Sequence, residues 1–140
     1  MIPSNVVMLC EQECLELLSQ PSVGRIGASV GALPVVLPVN FALVGGSICF
    51  RADERSELAH ATADAIVAFE VDAYDRDSGT GWSVLVQGKT SEVTNPATIS
   101  EVVEAIPNPL GTRADATRVV EISIATLSGC RIERPRQSPT

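Results

Sequence analysis

Apolar and polar positions along the chain recur with two periods, one helical and one extended. Across residues 11–19, Cys14, Leu15, Leu17 and Leu18 fall on one side of a 3.6-residue repeat and Pro21 ends the run, which predicts a helix. Cys10 stands where an N-cap belongs, with Glu13 three residues on, although a thiol is a weak cap. Residues 23–30 alternate around Gly24, Arg25 and Gly27 and predict a strand. Residues 33–44 form a long Val-rich run, followed by the turn dipeptide Gly45-Gly46 and a second apolar segment at 47–52, the signature of a hairpin. An Ala-rich stretch at 56–63 predicts a short helix, and 65–74 a strand with Val67, Phe69 and Val71 on one face and Glu70 and Asp72 on the other. A polar loop at 75–80 precedes a strand at 81–93. Residues 96–106 predict a helix with Ile99, Val102, Val103 and Ile106 as its apolar stripe and Pro96 in its first turn. An irregular segment at 108–117, with Pro109 and Gly111, leads to a last strand at 118–127 and a loose tail from 133. About six strands with two or three helices, mainly β with an α+β element, predict a small closed or split β-barrel.

Composition narrows the function rather than the fold. The chain has 140 residues, enough for one domain, expected over 1–132 with a flexible tail at 133–140. An apolar fraction of 45% with 19% charged residues excludes a disordered chain. A net charge of −7, with basic residues scattered apart from Arg131, Arg134 and Arg136, argues against nucleic acid as a partner. The longest apolar stretch, 32–46, is broken by Pro34, Pro38 and Asn40, so no window approaches the ~18 residues of a membrane span. No basic leader segment is visible, and Glu11 and Glu13 interrupt the first apolar positions. Cys10, Cys14, Cys49 and Cys130 lack the spacing of a disulfide framework or a zinc site, which fits a reduced, cytoplasmic protein. Cys10 and Cys14 are four apart, a legal metal spacing, but without further ligands they read as small buried residues.

The usual catalytic constellations are missing: no nucleophile elbow, no P-loop, no Gly-rich strand-to-helix turn. His60, the single histidine, sits on the Ala-rich helix and reads as structural or solvated. Glu70 and Asp72 share a strand face, as a carboxylate pair or, more often, as a solvent-facing edge. Residue by residue, the chain reads as a β-barrel domain with an unidentified ligand.

Several segments go further together. They are Glu13-Cys14-Leu15-Glu16-Leu17-Leu18, Val23-Gly24-Arg25-Ile26, Leu33-Pro34-Val35-Val36-Leu37-Pro38-Val39-Asn40-Phe41 and Ile48-Cys49-Phe50-Arg51. They continue with Val67-Ala68-Phe69-Glu70-Val71-Asp72, Gly81-Trp82-Ser83-Val84-Leu85-Val86-Gln87-Gly88 and Gly129-Cys130-Arg131-Ile132. In order and spacing they resemble the pyridoxamine 5′-phosphate oxidase-like family of flavin-binding split barrels, and small actinobacterial members above all. The resemblance implies a six-stranded split barrel, a face-to-face homodimer, and flavin mononucleotide (FMN) or a deazaflavin held between subunits. It places the ring edge against the backbone of Pro38, Val39 and Asn40. It places the phosphate at Arg51, Ala52 and the turn Arg55, Ser56, Glu57 and Leu58, with Trp82 and Ser83 beside the ring. A phosphate calls for a forked guanidinium and hydroxyl or amide donors, and a ring for backbone donors on rigid strands. Arg51 could equally close a hairpin at the surface, and Trp82 could serve core or dimer packing. Asn40 needs a ligand or a backbone partner for its amide if buried.

Three positions depart from the family pattern. Arg51 is followed by Ala52 where a threonine is common, Ser56 by Glu57 where a lysine is common, and the later Pro-Trp is replaced by Asn108-Pro109-Leu110. A unit charge pair about 4 Å apart is worth about 4 kcal/mol at an effective dielectric near 20, before screening, so Glu57 opposes a phosphate. Arg55 is a candidate replacement cation. Two functions follow as expectations. One is a homodimeric FMN- or deazaflavin-dependent oxidoreductase passing hydride to or from a small molecule. The other is a cofactor-free ligand-binding or structural barrel with a degenerate phosphate loop. The Val-rich strand at 33–44 carries more apolar surface than one thin layer covers, which points to the dimer in either case.

Overall fold

The computed structural model describes residues 3–111, 113 and 117–134. The tail expected from 133 therefore lies outside the described residues from 135 onward, as do Arg136 and positions 112 and 114–116 of the irregular segment. Strands β1 (Val6–Met8), β2 (Ser22–Val30), β3 (Leu33–Val44), β4 (Ser47–Asp53), β5 (Ile66–Asp75), β6 (Thr80–Glu92) and β7 (Thr117–Ile132) alternate with helices α1 (Glu11–Leu18), α2 (Glu57–Ala61) and α3 (Pro96–Ala105). All strand pairings are antiparallel. The sheet order is β1-β7-β4-β3-β2-β5-β6, and β6 pairs back onto β7, so six strands close a ring with β1 outside it. Among the described residues, no helix is long and apolar enough to cross a membrane.

Two elements depart from the sequence expectation. Strand β1 has three residues, too few to display a period, and exists through its pairing with the far end of β7 (Val6 with Ile132, Met8 with Cys130). Strand β7 runs to Ile132 rather than stopping at 127, because β6 continues opposite it as far as Gly81.

The period-two alternation sorts residues as expected. Ile26, Val39, Phe41, Val67, Phe69, Val71, Val84, Val86, Val120 and Ile122 point inward and are buried. Phe41 and Phe69 meet edge to face across the barrel with centroids 4.9 Å apart. At the β6–β7 bulge beside Gly88, an added Cβ would lie 1.7 Å from the Ser123 carbonyl oxygen, so only glycine lets the strands close. Helix α1 packs Cys14 and Leu18 onto the barrel core. Its N-cap is Cys10, whose N–H donates to the Glu13 carboxylate at 3.2 Å. Helix α3 covers the outside of β3, β4 and β7, where Ala42, Cys49, Val102, Ile106 and Val119 form a second core. Burial there pushes the Cys49 thiol up to about 11.

Two seams of the ring are short: β2 meets β5 only at Arg25–Gly27, and β3 meets β4 only near their shared turn. The β3–β4 ladder runs from Val44 opposite Ser47 to Phe41 opposite Phe50 and stops. Beyond it β3 stays with β2, down to Leu33, while β4 stays with β7, out to Asp53 opposite Thr117. The same register continued would set Asn40 opposite Arg51 and Val39 opposite Ala52, but those residues part. Pro34 and Pro38 lie on this half of β3, where no strand takes their missing N–H groups.

Candidate functional site

The split in the ring lies between 38–40 on β3 and Arg51 and Ala52 on β4. These are the residues to which the sequence resemblance assigned a ring edge and a phosphate. Into the same split comes the connector after α3. The Asn40 Oδ1 accepts the Leu110 N–H at 2.6 Å, which is the backbone partner its amide required. The Arg51 guanidinium donates through Nη1 to the carbonyls of Ile106 and Pro107, the latter at 3.3 Å. Helix α3 has no basic residue in its last turn, and its terminal carbonyls have no partner within the helix. Arg51 supplies the cation there from another strand. Only 4% of Arg51 is exposed, so it does not close a hairpin at the surface. A crevice of about 190 Å³ remains between Pro21, Ser22, Asn40 and 105–108.

Beyond Ala52, whose methyl is buried in the barrel core, the chain turns into α2. The turn is held by Asp53. Its carbonyl accepts the Ser56 N–H at 2.9 Å and the Ser56 hydroxyl at 2.6 Å, and its Oδ1 accepts the Arg55 N–H at 3.0 Å. The Ser56 hydroxyl in turn accepts the Ala59 N–H at 3.1 Å as the N-cap of α2. A cavity of about 430 Å³ opens beside this turn, lined by Glu54, Arg55, Ser56, Glu57, His60 and Arg118 among others. Arg118 is paired there with Glu54 at 3.1 Å and with Glu92 at 3.3 Å. Leu58 faces away from the cavity and packs on the core.

Trp82 and Ser83 do not join this group within one chain. Successive strand residues face opposite sides. Trp82 packs on the barrel core and walls a separate cavity of about 400 Å³ with Arg131, Ile132 and Arg134. Ser83 faces outward, its hydroxyl 3.5 Å from the Cys130 sulfur. Strand β6 lies three strands from β3 in either direction round the ring, on its opposite side.

The carboxylates of β5 form an exterior ion cluster, with Arg25 on Glu70 at 3.1 Å and on Asp72 at 3.4 Å. Desolvation, then Asp72 beside it, hold the Glu70 carboxyl above its ordinary range, with Arg25 opposing. Among the described residues no group of three or more His, Cys, Asp or Glu side chains is placed to hold a metal ion.

Sequence reasoning gave no role to Arg118, marked Asp53 only as an acid near the loop, and marked 108–110 only as a departure from the family pattern. Asp53 followed three residues later by Ser56 is a readable turn-and-cap signature. Arg118 carries no local signal, and Pro109 and Gly111 mark the connector as irregular without saying what it contacts.

The residues at the split meet the needs of a flavin unequally. The half of β3 that β4 does not pair with offers one backbone edge to a ring edge. The phosphate half does not fit. The Arg51 guanidinium and the Ser56 hydroxyl are bound within the chain, and Arg55 shares the cavity where an anion would sit with Glu54 and Glu57.

Comparison with known proteins follows the same lines. Residues 10–131 match the family described as pyridoxamine 5′-phosphate oxidase. The uncharacterized protein Rv0080 of Mycobacterium tuberculosis is 32% identical over 140 residues, covering 96% of this chain and 91% of that one. Among solved structures, the FAD-binding protein of Mycobacterium smegmatis shares 29% identity and superposes with a TM-score of 0.76, over 91% of this chain and 100% of its own. An FAD-binding protein of Mesorhizobium loti, 19% identical, has the same fold with a TM-score of 0.79 over 91% of this chain and 99% of its own.

Proposed function

The chain belongs to the pyridoxamine 5′-phosphate oxidase family, and from that premise we propose that it binds a flavin at the β3–β4 split and serves as an oxidoreductase. The observation that carries this reading is the ladder break. It leaves the β4-side edge of 38–40 unpaired near Arg51 and Ala52, in a chain 29% identical to an FAD-binding protein. A bound flavin supplies the hydride chemistry, so no side chain at the split need act as acid or base. The chain's part is to orient the ring on a rigid strand edge and keep water from its inner face.

The site is completed by a second copy. Residues 28–36 form an arm of β2 and β3 that pairs with neither β5 nor β4. A two-stranded ribbon is marginal alone in water. No charged residue occurs between Arg25 and Arg51, and Leu33 and Val36 on the arm are 71% and 69% exposed. A partner covering this face would also bring its own β6, with Trp82 and Ser83, toward the split. Sedimentation at micromolar concentration should give a dimer, and Leu33→Asp a monomer.

A second reading is a barrel that holds some other small molecule and no flavin, and the internal partners of Arg51 and Ser56 favour it. The absorbance spectrum of the purified protein, followed by titration with FMN, FAD and the deazaflavin, separates the two. A flavin band or saturable binding at one site per subunit supports the first. Neither would leave the second.

A further inference from the structure

Resting on the flavin reading, we infer that this chain selects its flavin by the ring and holds a phosphorylated flavin no more tightly than riboflavin. Arg51, Ser56 and Arg118 at the end of β4 already have partners inside the chain, and the exposed Arg55 side chain shares its cavity with Glu54 and Glu57. The Arg51 guanidinium closes the end of α3 at Ile106 and Pro107. The single proton of the Ser56 hydroxyl goes to the Asp53 carbonyl, and its lone pair takes the Ala59 N–H. The backbone N–H groups of Arg55 and Ser56 go to Asp53 as well. Arg118 sits between Glu54 and Glu92. Helix α2 has five residues, and Glu57 in its first turn puts a negative charge where an anion would meet the helix start.

A charge-assisted hydrogen bond to phosphate is worth about tenfold to a hundredfold in affinity. Drawing one from Arg51, Ser56 or Arg118 would break a bond already made, and drawing one from Arg55 would set the phosphate beside Glu54 and Glu57, so the gain largely cancels. What distinguishes flavins at this site is then the ring, which FMN and riboflavin share. Glu57 is exposed on α2 and lines the cavity, so its replacement tests the charge without touching the core.

The experiment is an equilibrium titration of the full chain with riboflavin and with FMN, read by quenching of flavin fluorescence, in the parent and in Glu57→Lys. The expected result is dissociation constants for riboflavin and FMN within about threefold of each other in the parent. In Glu57→Lys, FMN should tighten about tenfold and riboflavin should not change. FMN more than about tenfold tighter than riboflavin in the parent would overturn the inference and leave the flavin reading standing. Saturation by neither flavin would overturn both. If Glu57→Lys, folded by circular dichroism, tightens neither flavin or both alike, the loop does not face the phosphate end and the inference is wrong.

Discussion

Arg51 separates a structural role from a ligand-binding one, and Arg51→Met tests which it has. Methionine keeps most of the buried stem while removing the donors to Ile106 and Pro107. Ile106 is 4% exposed, so its carbonyl loses its charged partner in a place water reaches poorly. Leaving a buried acceptor unpaired costs about 1–3 kcal/mol, and the more exposed Pro107 carbonyl adds roughly 0.5 kcal/mol. The expected loss is about 1.5–3.5 kcal/mol, equivalent to a fall in Tm of about 5–12 °C for a chain of this length. Urea unfolding and a thermal melt by circular dichroism measure it, with FMN titration on the same samples. Arg51→Lys should recover part of the loss, since one ammonium can still reach one carbonyl. If Arg51→Met stays within about 0.5 kcal/mol of the parent while FMN affinity falls tenfold or more, Arg51 is a phosphate ligand and the account of the α3 end is refuted.

Three other perturbations bear on the fold and its charges. Gly88→Ala should destabilise by more than about 3 kcal/mol or prevent folding, since the clash is with Ser123 backbone, whereas Gly27→Ala, whose nearest neighbour is the Ala68 methyl at 3.8 Å, should be tolerated; denaturant midpoints decide. Glu70 holds its proton more tightly folded than unfolded, so its contribution to stability declines as pH rises past 4.5 through its raised folded value. Glu70→Gln should flatten that decline by less than about 1 kcal/mol, because the pair is half in water; an unchanged slope in pH-dependent urea unfolding would remove Glu70 as its source. Exposed Cys10 should react with iodoacetamide in the native state at pH 8, while Cys49, buried and pushed up to about 11, should react only on unfolding; mass spectrometry of the labelled peptides reads the order.

What is local in this protein was legible in its sequence. The alternation of Val67, Phe69 and Val71 with Glu70 and Asp72 already divides inside from outside, and the structure keeps that division with Arg25 bridging the two acids. Gly45-Gly46 marks the β3–β4 turn, Pro96 opens α3, and the Cys10-to-Glu13 spacing places the start of α1. Each depends on neighbours within a few residues, so the pattern carries it. The order of the quoted segments also carried the family, which extends over most of the chain.

The tertiary structure alone decided where the ring opens and what fills the opening. Strand β3 looks uniform from Leu33 to Val44, yet β4 pairs with it only as far as Phe41, while staying with β7 out to Asp53. Arg51 finds its partner 55 residues away and Asn40 finds its own 70 residues away, both on the connector after α3. Arg118 meets Glu54 across the β4–β7 pairing. A side chain's type fixes what it can donate or accept, but which distant backbone group reaches it first depends on how the strands close. That closure set the Arg51 guanidinium against the carbonyls at the end of α3.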